Sequence, residues 1–147
     1  MEKIQSFTVD HTKIVPGMYI SRVDGDVTTY DLRFCRPNKE TLDSAAMHTI
    51  EHLFATYIRN TDLDVIYFGP MGCLTGFYLL VRNADHIRVW KETKTVLYNI
   101  STFEGEIFGS SEIECGNYRF HNLPEAREAA GKFRKVLDEK PQFTYPE

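Results

Sequence analysis

The sequence predicts an α+β domain: an antiparallel β-sheet covered on one face by helices. Three observations predict it. Segments of period two gather in the first half of the chain, stretches of helical period are interspersed among and after them, and no repeat, low-complexity tract or linker divides the 147 residues. That length can bury a core without covalent staples. The 42% hydrophobic, 13% aromatic and 26% charged residues are those of a folded globular protein, so a single domain over residues 1–147 is the economical organisation.

The elements follow in order. Apolar residues alternate over residues 4–9 (IQSFTV). Residues 18–23 and 27–34 (VTTYDLRF) read as two strands joined by a turn at Asp24-Gly25-Asp26. A helix is predicted over residues 44–59 with Ser44 as its N-cap. Residues 64–68 (DVIYF) and 75–81 (TGFYLLV) read as two further strands, separated by GPMGC. A second helix is expected over residues 84–100, and a third from Asn122, where N-L-P-E offers a cap with Glu125 three residues on. Residues 103–121, which hold Cys115, have no deciding pattern.

Charge and cysteine content narrow the function. With 21 acidic and 17 basic residues the net charge is −4, and the basic residues are scattered, so no nucleic-acid partner is expected. The opening MEKIQSFTVDH has neither the apolar run of a signal peptide nor a membrane span, so a cytoplasmic address and no membrane partner are expected. In a reducing compartment Cys35, Cys73 and Cys115 are buried thiols, metal ligands or a nucleophile rather than a disulfide framework.

The chemistry-bearing residues start in MHTIEHLFATYIRN. At about 100° per residue Ile50, Leu53, Phe54, Tyr57 and Ile58 share an apolar arc, while His48, Glu51, His52 and Ala55 gather on the opposite side. Two histidines at i and i+4 can place two nitrogens on one metal ion, and the neighbouring carboxylate can move protons at a bound ligand. A solvated face carrying two histidines by chance explains the same pattern. A divalent ion needs further ligands, for which Cys115 is a candidate third. In GPMGCLTGFY, glycines and a proline around Cys73 expose a thiol at a tight turn, where it can act as base or acid; its alternative is a small apolar residue in a loop. Arg33, within YDLRFCRPNK, can neutralise a carboxylate or steady a thiolate, or else snorkel to solvent, and Cys35 on the same strand face reads as structural.

Taken together, SFTVDH, YDLRFCRPNK, HTIEHLFATYIRN, GPMGCLTGFY and ECGNYRFHNL, in this order and spacing, closely resemble the S-ribosylhomocysteine lyases, the LuxS proteins of bacteria. The resemblance spans residues 6 to about 127. It implies metal ligands at His48, His52 and Cys115, and acid–base residues at Glu51 and Cys73. Substrate contacts are implied at Ser6, His11 and Arg33. It further implies one divalent ion per subunit, natively ferrous iron with zinc or cobalt able to substitute, and a homodimer with active sites at the subunit interface. The implied reaction converts S-ribosylhomocysteine to homocysteine and 4,5-dihydroxy-2,3-pentanedione, the autoinducer-2 precursor of quorum sensing, and serves the methyl cycle.

The chain departs from the family pattern before the catalytic turn. Tyr67-Phe68-Gly69-Pro70 stands where D-I-S-P is usual, and Leu74 where an arginine or glutamine follows the cysteine. Two other readings stay open at this level. H-x-x-E-H is also a metallopeptidase motif, although the chain is small and lacks an evident downstream glutamate ligand. A binding protein that has kept the metal site but lost catalytic efficiency is the other.

Overall fold

A computed structural model describes residues 1–147. The elements run β1 (Gly17–Asp24), β2 (Val27–Arg33), α1 (Ser44–Arg59), β3 (Asp64–Pro70), β4 (Gly76–Arg82), α2 (His86–Ser101) and α3 (Leu123–Leu137). The four strands form one antiparallel sheet in the order β1-β2-β4-β3. The expected fold class is therefore what forms. Gly25, at a left-handed φ of 60°, closes the two-residue β1–β2 hairpin that the Asp-Gly-Asp sequence announces.

Local details differ from the sequence reading where a neighbouring residue caps better. Asp43, not Ser44, caps α1, its carboxylate accepting from the Ala46 N–H at 2.9 Å; Asp85 does the same for α2, which starts at His86 rather than residue 84. Asn122 caps α3 as expected, accepting from Glu125 N at 3.1 Å. The alternating N-terminal segment is not a strand. It makes one 3-10 turn, Gln5–Phe7, with Ile4 and Phe7 left exposed, and the edge of β1 is met instead by the returning chain at Phe143.

Strand alternation sends Tyr30, Leu32, Phe77 and Leu79 to one face, where they pack fully buried against Ile50, Leu53 and Phe54 of α1 and Leu97 of α2. Phe68 stacks between Phe54 and Phe77 at 4.1 and 5.0 Å, and Phe34 stacks on Phe133 of α3 at 4.1 Å. Each such side chain stabilises the fold by about 1.5–3 kcal/mol through burial. This core fixes α1, and with it the direction in which His48 and His52 point.

The other face of the sheet is polar. Cross-strand pairing sets Tyr19, Asp31 and Tyr78 in one row and Gly17, Arg33 and Gly76 in the next, so Arg33 has a glycine on either side. A Cβ at Gly76 would collide with the Leu32 carbonyl, which makes glycine obligatory beside the arginine. Beyond α3 the chain returns to the free edge of β1, where the Ile20 N–H donates to the Phe143 carbonyl at 2.8 Å. No helix is long and apolar enough to cross a membrane.

Candidate metal centre and active site

The histidines of α1 come together as their spacing requires. His48 Nε2 and His52 Nε2 lie 3.1 Å apart, and Cys115 Sγ lies 3.4 and 3.7 Å from them. Backbone carbonyls decide which nitrogen carries the proton. His48 Nδ1 meets the Phe120 carbonyl at 2.5 Å and His52 Nδ1 meets the Phe108 carbonyl at 2.8 Å; a carbonyl only accepts, so both Nδ1 atoms donate. Both Nε2 atoms then present bare lone pairs to each other, an arrangement that is repulsive unless a cation stands between them. Tetrahedral bonds of about 2.0–2.1 Å to nitrogen and 2.3 Å to sulfur give edges of about 3.4 and 3.6 Å, so the donor set fits a divalent ion. The Phe108 and Phe120 carbonyls orient the two rings as the partners of metal-binding histidines generally do.

The segment between α2 and α3, undecided by pattern, thus supplies Cys115 and both orienting carbonyls. It also supplies His121, which sequence reasoning did not single out. One of its ring nitrogens lies within 4.8 Å of the other three donors. Its ring stacks on His48 with centroids 4.1 Å apart and planes within 13°. Burial, then the neighbouring His48 and His52, push the His121 imidazole down to about pH 4 in its titration. Thr49 Oγ1 holds its Nδ1 at 3.0 Å, while Nε2 is buried without a partner. The signal was present in ECGNYRFHNL: a histidine six residues beyond the cysteine.

Glu51 sits half-buried one residue before His52, with no hydrogen bond or ion pair restraining its carboxylate. A carboxylate without a protein partner, on the same helix face as the two histidines, has the chemistry to take and return protons. No carboxylate joins the four-residue donor group. The peptidase reading therefore lacks the glutamate ligand it needs.

The second group of residues gathers on the polar face of the sheet. Arg33 does not snorkel; it is 3% exposed and paired with Asp31, 1% exposed, through Nε at 3.0 Å and Nη2 at 2.7 Å. The pairing follows from their i, i+2 spacing on one strand face. Ser6 and His11 line a small cavity together with Asp31, Arg33, Tyr78 and Tyr145. His11 donates from Nδ1 to the Val9 carbonyl at 2.9 Å, which leaves its Nε2 lone pair free.

Cys73 joins this group through one hydroxyl. Arg33 Nη1 donates to Thr75 Oγ1 at 3.0 Å, so the proton of Thr75 is free for the Cys73 sulfur, also 3.0 Å away. Cys73 itself is exposed, as its turn predicts, and Cys35 is a buried structural thiol. Leu74 holds a left-handed φ of 65°, a strain of about 1–3 kcal/mol stored directly after the thiol. On the neighbouring strand Tyr67 is exposed and covers Gly69, where an added Cβ would collide with the tyrosine hydroxyl.

Within one chain, then, His48, Glu51, His52 and Cys115 lie on the helix side, whereas Ser6, His11 and Arg33 lie on the opposite face, with Cys73 tied to Arg33. No hydrogen bond joins the two groups.

The family model described as S-Ribosylhomocysteinase (LuxS) matches residues 4–143. An S-ribosylhomocysteine lyase of Desulfotalea psychrophila is 49% identical, the alignment covering 99% of each chain. One from Finegoldia magna is 44% identical over 100% of each, and one from Clostridium beijerinckii 48% identical over 90% of this chain and 89% of its own. With five motifs in order, a donor set that fits a metal ion and relatives matched end to end, the chain belongs to the S-ribosylhomocysteinase (LuxS) family.

Proposed function

We propose that this chain is a metal-dependent carbon–sulfur lyase that cleaves S-ribosylhomocysteine to homocysteine and 4,5-dihydroxy-2,3-pentanedione, working in the cytoplasm as a homodimer. The observation that carries the reading is the pair of bare His48 and His52 nitrogens beside Cys115, with the unrestrained Glu51 on the same helix. Family membership supplies the substrate. His48, His52 and Cys115 hold one divalent ion per subunit, ferrous iron natively, with zinc or cobalt as partial substitutes. When bound, the ion supplies Lewis acidity to substrate oxygens without any redox change.

The residues do the proton work. The carbonyl has to migrate along the sugar until it stands two carbons from the carbon that bears sulfur. The proton between them is then acidic, and its loss expels homocysteine as a thiolate, which takes up a proton. Each migration removes a proton next to a carbonyl and returns one at the neighbouring carbon. Two carriers on opposite sides of the sugar suit this sequence, the Glu51 carboxylate and the Cys73 sulfur, the latter steadied by the Arg33–Thr75 chain. Ser6, His11 and Arg33 hold the substrate.

The division of these residues between two faces of one chain favours a dimer in which each site takes one group from each subunit. Exposed Phe7 beside Ser6, and exposed Ile113 and Phe120 beside Cys115 and His121, offer apolar surface next to each group. Neither a nucleic-acid nor a membrane partner forms part of this reading. The test is free-thiol release from S-ribosylhomocysteine by protein prepared without oxygen, beside Cys73→Ala and Glu51→Gln. Each variant is expected to keep its metal and lose about two orders of magnitude or more in rate. Equal rates in wild type and variants at full metal content would refute the assignment.

A further inference from the structure

The half-site that contains Ser6, His11 and Arg33 is closed by the chain's own C-terminal tail. Phe143 packs on the helix side of the sheet edge, against Tyr30 and His86, with its carbonyl accepting from Ile20. Two residues on, Tyr145 lies on the opposite, polar face. Its ring stacks on Tyr19 at 4.8 Å and its hydroxyl donates to Asp31 Oδ2 at 2.7 Å. The tail thus clasps the edge strand, one aromatic on each side.

What remains between these residues is a cavity of about 10 Å³, room for a single water and far too little for a sugar. Yet the groups around it are built to bind hydroxyls. Arg33 has five N–H donors and uses three, two on Asp31 and one on Thr75, so two lack a protein partner on a side chain almost wholly buried. His11 keeps a free Nε2 lone pair. Burial and the Asp31 charge hold the Tyr145 phenol protonated, so that it donates to the carboxylate as an alcohol would.

We propose that the tail is a substrate-displaced gate: Tyr145 holds on Asp31 the place that a hydroxyl of the ribosyl substrate takes, and Asp31 is a further substrate-binding residue. This rests on the reading of Ser6, His11 and Arg33 as substrate contacts. The tail is the element best able to retreat. It is tied to this face through Tyr145 alone, by its hydroxyl at Asp31 and Ser21 and its ring on Tyr19, whereas Arg33 is fixed in its strand between two glycines.

The gate is an internal competitor, so weakening it raises the open fraction and lowers the apparent KM. Losing the Tyr145 hydroxyl removes one hydrogen bond to a charged group, which corresponds to a fall in KM of about three- to tenfold, with kcat within about twofold of wild type. The experiment measures both constants for metal-loaded wild type, Tyr145→Phe and a chain ending at Phe143, with S-ribosylhomocysteine as substrate. A second readout does not rely on turnover: saturating substrate added to metal-loaded Glu51→Gln protein should speed chymotryptic cleavage after Phe143. Unchanged or raised KM in both variants, or cleavage indifferent to substrate, overturns the gate. Arg33→Lys separates the two levels. If it leaves KM unchanged, the underlying half-site assignment fails; if it raises KM while Tyr145→Phe does nothing, the gate alone fails.

Discussion

Mixing two inactive variants is the sharpest test of how the two groups of residues meet. Glu51→Gln damages the helix-side group and Cys73→Ala the sheet-side group, and in the proposed dimer each active site draws one group from each chain. A homodimer of either variant has two defective sites. A mixed dimer has one site with both defects and one with neither. Random pairing of equal amounts makes about half the dimers mixed, so about a quarter of wild-type activity returns, and the isolated mixed dimer reaches about half. The assay is thiol release from S-ribosylhomocysteine by the two chains co-expressed with different affinity tags, before and after sequential purification on both tags. If the groups instead met within one chain, no pairing could restore a site. A mixed dimer no faster than either parent would then refute the arrangement.

Three further outcomes follow from the geometry. His52→Ala removes one of three donors and should cut bound metal by well over tenfold, read as metal per chain after dialysis, while the buried core leaves the fold intact. Thr75→Val takes away the hydroxyl between Arg33 and Cys73, and alkylation of Cys73 by iodoacetamide at fixed pH should slow by about three- to tenfold; an unchanged rate would show that the hydroxyl has no hold on the sulfur. In metal-free protein His121 stays neutral down to about pH 4, whereas the unfolded chain takes its proton near 6.5. Its contribution is therefore complete above 6.5 and lost as pH falls towards 4, so urea midpoints should drop across that window and drop less in His121→Gln.

Much of the site was legible because helical geometry is regular. The i, i+4 histidines and Glu51 had to share a face once α1 formed, whereas the turn around Cys73 allowed either an exposed thiol or a small apolar loop residue, and the exposed thiol is what forms. Asp31 could have been read too, since it precedes Arg33 by two residues on one strand face, but alternation between apolar Tyr30 and Leu32 disguised it as a solvated residue. Its burial depends on what covers the second face. The segment between α2 and α3 carried no period because it works through carbonyls at Phe108 and Phe120, and every residue has a carbonyl. Tyr145 was illegible for a different reason: its contacts are with Tyr19 and Asp31, more than a hundred residues earlier, and no local pattern encodes such a return.

Tyr67 lying over Gly69 couples the two positions. A side chain at 69 would meet the tyrosine ring, so serine there, as in the D-I-S-P pattern, requires Tyr67 to leave its present rotamer. The ring is exposed and has solvent to swing into, so the coupling acts on where the tyrosine points rather than on whether the strand forms. Gly69→Ser alone therefore redirects Tyr67 away from the turn that carries Cys73, and Tyr67→Asp alone leaves an open glycine beside it.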